Sequence, residues 1–311
     1  MLLEVRNIRK SFADKRVLED ISFEVRSSQA FGLLGRNGAG KTTLIRIIMG
    51  VFPANEGEVL IDGKPIDYET TKIGYLPEER GLYARKKIID QLIYFAELKG
   101  LSKARAIQSI DYWLDRLDMS EYRNKRLDTL SKGNQQKIQL ITALVHNPDL
   151  IILDEPFSGL DPVNAALIKG IVSQQIQEGK IVLFSSHQMN YVEEFCDNVG
   201  IVDHGHMVLR GNLHQIKREY ERNKLVVSST QAQNIIGDCK GISDIVSAIP
   251  MDEYKVMLTL TSSGKKKEIM QKLSLAYDID EMAVYEPSLN DIFIEYAGGT
   301  DDEVEEGGDV K

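Results

Sequence analysis

The chain is poor in the features that would place it in several large classes. It holds two cysteines in 311 residues, Cys196 and Cys239, far apart and outside any CxxC or Cys/His ligand spacing. That excludes a disulfide scaffold and a structural zinc site, and it suits a reducing compartment. No apolar run approaches the ~18 residues of a membrane span, so any membrane role is expected to be peripheral and borrowed from a partner. The opening MLLEVRNIRK puts Glu4 and Arg6 where a secretory leader needs apolar side chains. Basic excess is missing too: 38 Lys and Arg stand against 47 Asp and Glu, a formal charge of −9, which argues against nucleic acid as a partner. Neither an internal repeat nor a low-complexity linker interrupts the chain.

What is present is an ordinary globular balance, 42% hydrophobic and 27% charged, long enough for roughly two domains. Leu2 to Val25 alternates in short runs around the polar Ala13-Asp14-Lys15, which predicts antiparallel strands at a sheet edge. The style then changes: a buried strand over Ala30–Leu34, a glycine-rich loop from Gly35 to Gly40, and a helix over Thr42–Met49 that Gly50 and Pro53 stop. Residues 84 to 125 read as helices, with Ile107, Ile110, Leu114 and Leu117 at three- and four-residue spacings. Leu150–Leu153 and Ile181–Phe184 are short apolar runs of the kind buried on both faces of a parallel sheet, joined by a helix over Val163–Glu178. Beyond residue 222 the order becomes βαββαβ, which predicts a small ferredoxin-like α+β domain. Asp301, Asp302, Glu303, Glu305, Glu306 and Asp309 close the chain in an acidic segment, 300–311, expected to be disordered.

The chemistry concentrates in two places. Gly35-Arg36-Asn37-Gly38-Ala39-Gly40-Lys41-Thr42 satisfies GxxxxGK[ST] between a strand and a helix, the context the pattern requires. Backbone amides there can turn toward phosphate oxygens, Lys41 can reach the terminal phosphates, and Thr42 offers a hydroxyl to Mg²⁺. Such a site needs a carboxylate at the end of a neighbouring parallel strand. Leu150-Ile151-Ile152-Leu153-Asp154-Glu155 supplies two, Asp154 for Mg²⁺ and Glu155 to take a proton from an attacking water, although either acid could also cap a helix before Pro156.

Further along, Leu130-Ser131-Lys132-Gly133-Asn134-Gln135-Gln136 precedes a helix with Ile138, Ile141, Leu144 and Val145 on one face. This resembles the LSGGQ signature of ATP-binding cassette (ABC) ATPases. Ser158-Gly159-Leu160-Asp161 resembles the family's D-loop, and His187 after Ser185-Ser186 its switch histidine. The resemblance covers about residues 1 to 222 through five motifs in order. It implies an α/β P-loop NTPase cassette with a mixed sheet, an antiparallel edge and a helical subdomain at about 84–145; the βαββαβ order makes 223–299 a separate accessory domain.

It also implies roles. ATP with Mg²⁺ would be bound by Gly35 through Thr42 with Thr43, by Phe12 stacked on adenine, and by Glu78. Thr42, Asp154 and Glu78 would face the metal, while Glu155, His187 and Lys41 would serve hydrolysis. Ser131, Gly133, Asn134 and Asp161 would meet nucleotide held by a second copy of the chain or a paired cassette. Two positions depart from the family: Glu78 stands where glutamine is usual, and Asn134 replaces the last glutamine of the signature. Glu286-Pro287-Ser288-Leu289-Asn290-Asp291-Ile292-Phe293 resembles the ending of bacterial export ATPase subunits, including sodium-extrusion and antibiotic-resistance systems that work with separate ABC-2 permeases. The expectation is thus an exporter's ATPase subunit, cytoplasmic and peripheral on the inner face of the cell membrane. The alternatives are a soluble ABC ATPase acting on ribosomes or DNA repair, and a regulatory one.

Four places admit blander readings. Phe12 could be core. Asp203-His204-Gly205-His206 reads better as a turn than as a metal site, and Arg85-Lys86-Lys87 and Lys265-Lys266-Lys267 read as solvated faces.

Overall fold

The computed structural model describes residues 1–79, 81–220 and 222–297; the acidic segment 300–311 lies outside them. The chain divides into two compact units, one from Met1 to Leu213 with the chain end from Phe293, the other from His214 to Ile292.

The first unit opens with β1 (Leu2–Phe12) and β2 (Lys15–Arg26), joined at a turn where Ala13 adopts φ 48°. β3 (Gln29–Leu34) leads through the glycine loop into α1 (Lys41–Ile48). Then come β4 (Glu56–Ile61), β5 (Lys64–Pro65) and β6 (Ile73–Leu76). A helical lobe follows, with α2 (Ile88–Leu98), α3 (Lys103–Arg116) and α4 (Lys132–Leu144) packed on one another. β7 (Leu150–Asp154), α5 (Pro162–Gln177), β8 (Ile181–Ser185), α6 (Met189–Phe195), β9 (Asn198–Asp203) and β10 (His206–Asn212) complete the unit.

Six strands form one sheet in the order β10-β9-β3-β8-β7-β6, parallel except for β10. Every residue of β7 and β8 is buried, as expected of apolar runs covered on both faces. The N-terminal strands do not edge this sheet. β1 pairs with β2 on one side and β4 on the other, making a separate antiparallel sheet ordered β2-β1-β4-β5. Their alternation leaves one apolar face, so they can close the core only from across it. Leu3, Val5 and Phe23 from this sheet meet Phe31, Leu33, Ile152 and Leu183 from the other, with Leu44, Ile45 and Ile48 of α1 in the same cluster. The Phe23 and Phe31 rings stack at 4.5 Å.

The second unit holds α7 (Leu213–Glu219, from Leu213 at the junction), β11 (Lys224–Ser228), α8 (Ala232–Cys239), β12 (Ile245–Pro250), β13 (Lys255–Leu260), α9 (Lys266–Ala276) and β14 (Glu281–Val284). α10 (Leu289–Ala297) follows. Its strands run in the order β12-β13-β11-β14, every neighbour antiparallel, so each helical crossover skips a strand. Leu225, Val227, Val256 and Leu258 share a core with Ile235 and Ile269 from the two helices.

Candidate functional site

The parallel strands end on one side of the sheet, and the site is assembled from the segments that leave them. After β3 the chain turns through Gly40, whose φ of 110° starts α1; a Cβ there would lie 2.9 Å from the Val17 carbonyl oxygen and 2.6 Å from Leu18 Cδ2. The loop is braced from outside, because the Gly205 amide donates to the Ala39 carbonyl (3.2 Å) and the Glu19 amide to the Gly205 carbonyl (2.8 Å). Asp203 to His206 is accordingly the β9–β10 turn that supports this loop. The Lys41 ammonium folds back, donating to the carbonyls of Gly35 (2.6 Å) and Arg36 (3.2 Å).

Next to the loop, Asp154 and Glu155 leave β7. Successive strand residues point to opposite faces, yet both carboxylates face the same cavity. Glu155 adopts φ 51°, a left-handed conformation that breaks the alternation at the strand end. The Asp154 carboxylate accepts from the Ser185 hydroxyl (2.5 Å). Glu155 accepts from the Ser186 hydroxyl (3.1 Å), the His187 amide (2.8 Å) and His187 Nδ1 (2.7 Å). A carboxylate only accepts, so Nδ1 carries the proton in that bond and Nε2 is left for other partners.

A cavity of about 310 Å³ lies between these elements, lined by Val17, Asn37, Gly38, Gly40, Lys41, Thr42, Thr43, Glu78, Asp154 and Glu155. Burial lowers the Lys41 ammonium from its ordinary value, while Glu155, Asp154 and Glu78 pull it back up. Burial raises the Asp154 carboxyl, and Glu78 and Glu155 add to the rise against the Ser185 hydrogen bond and Lys41. Crowded carboxylates beside one lysine suit a hard cation, and the Thr42 hydroxyl adds a neutral oxygen. Among the described residues no three His, Cys, Asp or Glu side chains converge tightly enough to cage a metal. Mg²⁺ takes one or two carboxylates and fills its shell with phosphate oxygens and water.

The other expected residues lie apart from this cavity's lining. Gly35, Arg36 and Ala39 shape the loop from behind, and His187 reaches the site through Glu155. Ser131 caps α4, its hydroxyl accepting from the Asn134 amide (3.3 Å). Asp161 caps α5, accepting from the amides of Val163 and Asn164 (3.0 and 2.9 Å). The two caps are neighbours, since a Cβ on Gly133 would sit 3.4 Å from Asn164 Nδ2. Phe12 is 47% exposed and meets Phe52 edge-on at 5.5 Å, with the Lys10 ammonium over both rings. It is thus not core.

Sequence reasoning passed over several partners. Val17 lines the cavity from β2. Ser185 and Ser186 orient the two acids, and the half-buried Tyr75 hydroxyl beside Asp154 is pushed up to about 12 by burial first and then by that acid. The buried Gln139 amide donates to the carbonyls of Pro77 (3.0 Å) and Glu79 (3.1 Å), bracketing Glu78 from the middle of α4. α4 also lies close on β6: a Cβ on Gly74 would stand 2.1 Å from the Ala143 carbonyl oxygen, and His146 Nε2 meets the Ile73 carbonyl at 3.1 Å. Nothing in the helical pattern marks Gln139 for these contacts; only the fold supplies the carbonyls.

Known proteins match both units. Residues 18–158 fit the family model described as ABC transporter, and residues 211–297 fit that of the ATP-binding protein DrrA1-3-like, C-terminal domain. The uncharacterized ABC transporter ATP-binding protein YhaQ of Bacillus subtilis (strain 168) is 42% identical over 298 residues, 96% of this chain and 99% of that protein. The linearmycin resistance ATP-binding protein LnrL of the same organism is 28% identical over 309 residues, 96% of this chain and 99% of its own. A solved structure of the ATP binding subunit of an ABC transporter superposes with a TM-score of 0.66 at 31% identity, covering 71% of this chain and 93% of that one.

Proposed function

The chain belongs to the ABC transporter family as an ATP-binding, ATP-hydrolysing subunit, and from that premise we propose that it drives a separately encoded membrane permease, in the export direction. The observation that carries this is the match, over 96% of this chain and 99% of theirs, to proteins named as ATP-binding proteins, one of them a resistance protein, by a chain in which no helix of the described residues is long and apolar enough to cross a membrane. The assembly would hold two cassettes, this chain with a second copy or with a paired subunit, on the inner face of the cell membrane.

In this reading the loop from Gly35 to Thr43 holds the phosphates, with Lys41 exchanging its carbonyl partners for phosphate oxygens. Mg²⁺, held by Thr42, Asp154 and Glu78, would draw negative charge from the terminal phosphate. Glu155 takes the proton of the attacking water, and the Ser186 and His187 donors fix the direction of its oxygens. His187 Nε2 is left to meet the terminal phosphate. Ser131, Gly133 and Asn134, at the start of α4, and Asp161 would complete the partner's site, where the helix N-terminus favours an anion. Phe12 would stack on adenine from the rim.

The permease's cytoplasmic helix would seat beside the Glu78 loop. A cleft of about 700 Å³ lies there, lined by Met49, Val51, Tyr68, Pro77, Glu79 and Lys99 among others. Val51 and Tyr68 are 63% and 46% exposed, more apolar surface than a solvated wall needs. Affinity capture from detergent-solubilised native membranes, followed by mass spectrometry, tests the assembly. A stoichiometric polytopic membrane protein is expected. A chain that stays in the soluble fraction without one would return the reading to an ATPase that has no permease.

A further inference from the structure

The second unit contains a cleft of about 330 Å³ lined by His214, Lys217, Arg218, Arg222, Tyr285 and Glu286. In a chain with a formal charge of −9 this is an unusual gathering of cations. Elsewhere six arginines, Arg6, Arg9, Arg16, Arg26, Arg123 and Arg126, each stand within 4.0 Å of a carboxylate. Arg218 and Arg222 have no ion pair or hydrogen bond with any described residue, whereas Lys217 does have a partner. One wall is fixed, because the Tyr285 hydroxyl donates to Asp291 (2.6 Å), which is held in turn by the Ser288 amide (2.7 Å). Glu286 is the single carboxylate on the lining.

With Lys217 partnered, Arg218 and Arg222 still outnumber Glu286, and the surplus positive charge matches a single phosphate group. Arginine forks pair with phosphate oxygens two at a time, and the volume lies at the small end of ligand sites. Glu286 disfavours polyphosphates and can accept from a hydroxyl. The geometry points to a binding site for a phosphate-bearing ligand that also carries hydroxyl groups, either free, as a small sugar- or glycerol-phosphate, or as the headgroup of an anionic phospholipid.

The test uses the full chain with its nucleotide site saturated by Mg·ADP, so that added phosphate cannot enter the glycine loop. One arm titrates glycerol 3-phosphate by calorimetry. The other measures flotation with phosphatidylglycerol vesicles against phosphatidylcholine vesicles at about 0.15 M salt, where surface charges are screened beyond ~8 Å. Saturable binding is expected in at least one arm, and the arm that responds identifies the source. Arg218→Gln with Arg222→Gln should weaken it about 10-fold or more while basal ATP hydrolysis is unchanged. Glu286→Gln should tighten it, which a general loss of structure could not produce. No saturable binding in either arm overturns the proposal. So does a double variant that binds as wild type.

Discussion

The phosphate end and the signature end of the cassette are built on opposite plans. At the phosphate end three charged groups already have partners in their own chain: Lys41 two carbonyls, Asp154 a serine hydroxyl, Glu155 three donors. The two acids leave a strand buried along its whole length, and Lys41 opens a helix packed in the same core, so the groups are held in place. At the signature end, exposed Ser131 makes one cap bond at 3.3 Å and contributes nothing to the cavity of its own chain. The difference teaches that one end is complete in itself and the other presents a shape outward.

The sharpest break of that contrast falls on the complete end. Lys41→Ala should abolish tight nucleotide binding, read by fluorescence titration, because nothing else on the lining brings a positive charge to the phosphates. Glu155→Gln should lower kcat by about 10²- to 10⁴-fold, the usual share of a general base, with nucleotide still bound; unchanged turnover would remove Glu155 from the role. The outward end should behave otherwise. Ser131→Arg should stop turnover while leaving nucleotide affinity of the isolated chain intact, and mixing it with Lys41→Ala should restore hydrolysis. In a mixed pair one site keeps both a sound loop and a sound signature, so failure of the mixture would refute completion across two copies.

Much of the complete end is legible in the sequence, and the physical reason is that it depends on neighbours along the chain. A glycine loop between an apolar run and a helix, and two acids after an apolar run, are local patterns. The antiparallel sheet is less so: β1 finds β4 across about 50 residues, and alternation alone does not say which sheet a strand joins. Gln139 shows the limit. Its meaning lies in two carbonyls about 60 residues away, and nothing in the helical pattern distinguishes it from a core position.

Two smaller effects sharpen the comparison where α4 joins the ends. His146 is buried and held down to about 4, chiefly by burial, so its folded value lies below the ordinary 6.5. Between those values the unfolded chain binds more protons, and stability should therefore fall by about 3 kcal/mol as pH drops from 6.5 toward 4. Denaturation midpoints across that range, compared with His146→Asn, measure it. Gln139→Leu strands the Pro77 and Glu79 carbonyls and should cost about 1–3 kcal/mol. It should also raise the Mg²⁺ concentration needed for tight nucleotide binding, an effect that Gln139→Asn would reproduce in part if reach is what matters.

A carboxylate has room for about four acceptor bonds, and Glu155 has filled three of them with the Ser186 hydroxyl and the backbone amide and Nδ1 of His187. In the proposed role its selectivity is therefore a matter of arithmetic. One approach remains, and a proton offered from any other quarter finds the seat taken. Such an acid guards against wasteful turnover by being crowded rather than weak, and it becomes effective only for a donor that arrives along the one remaining line.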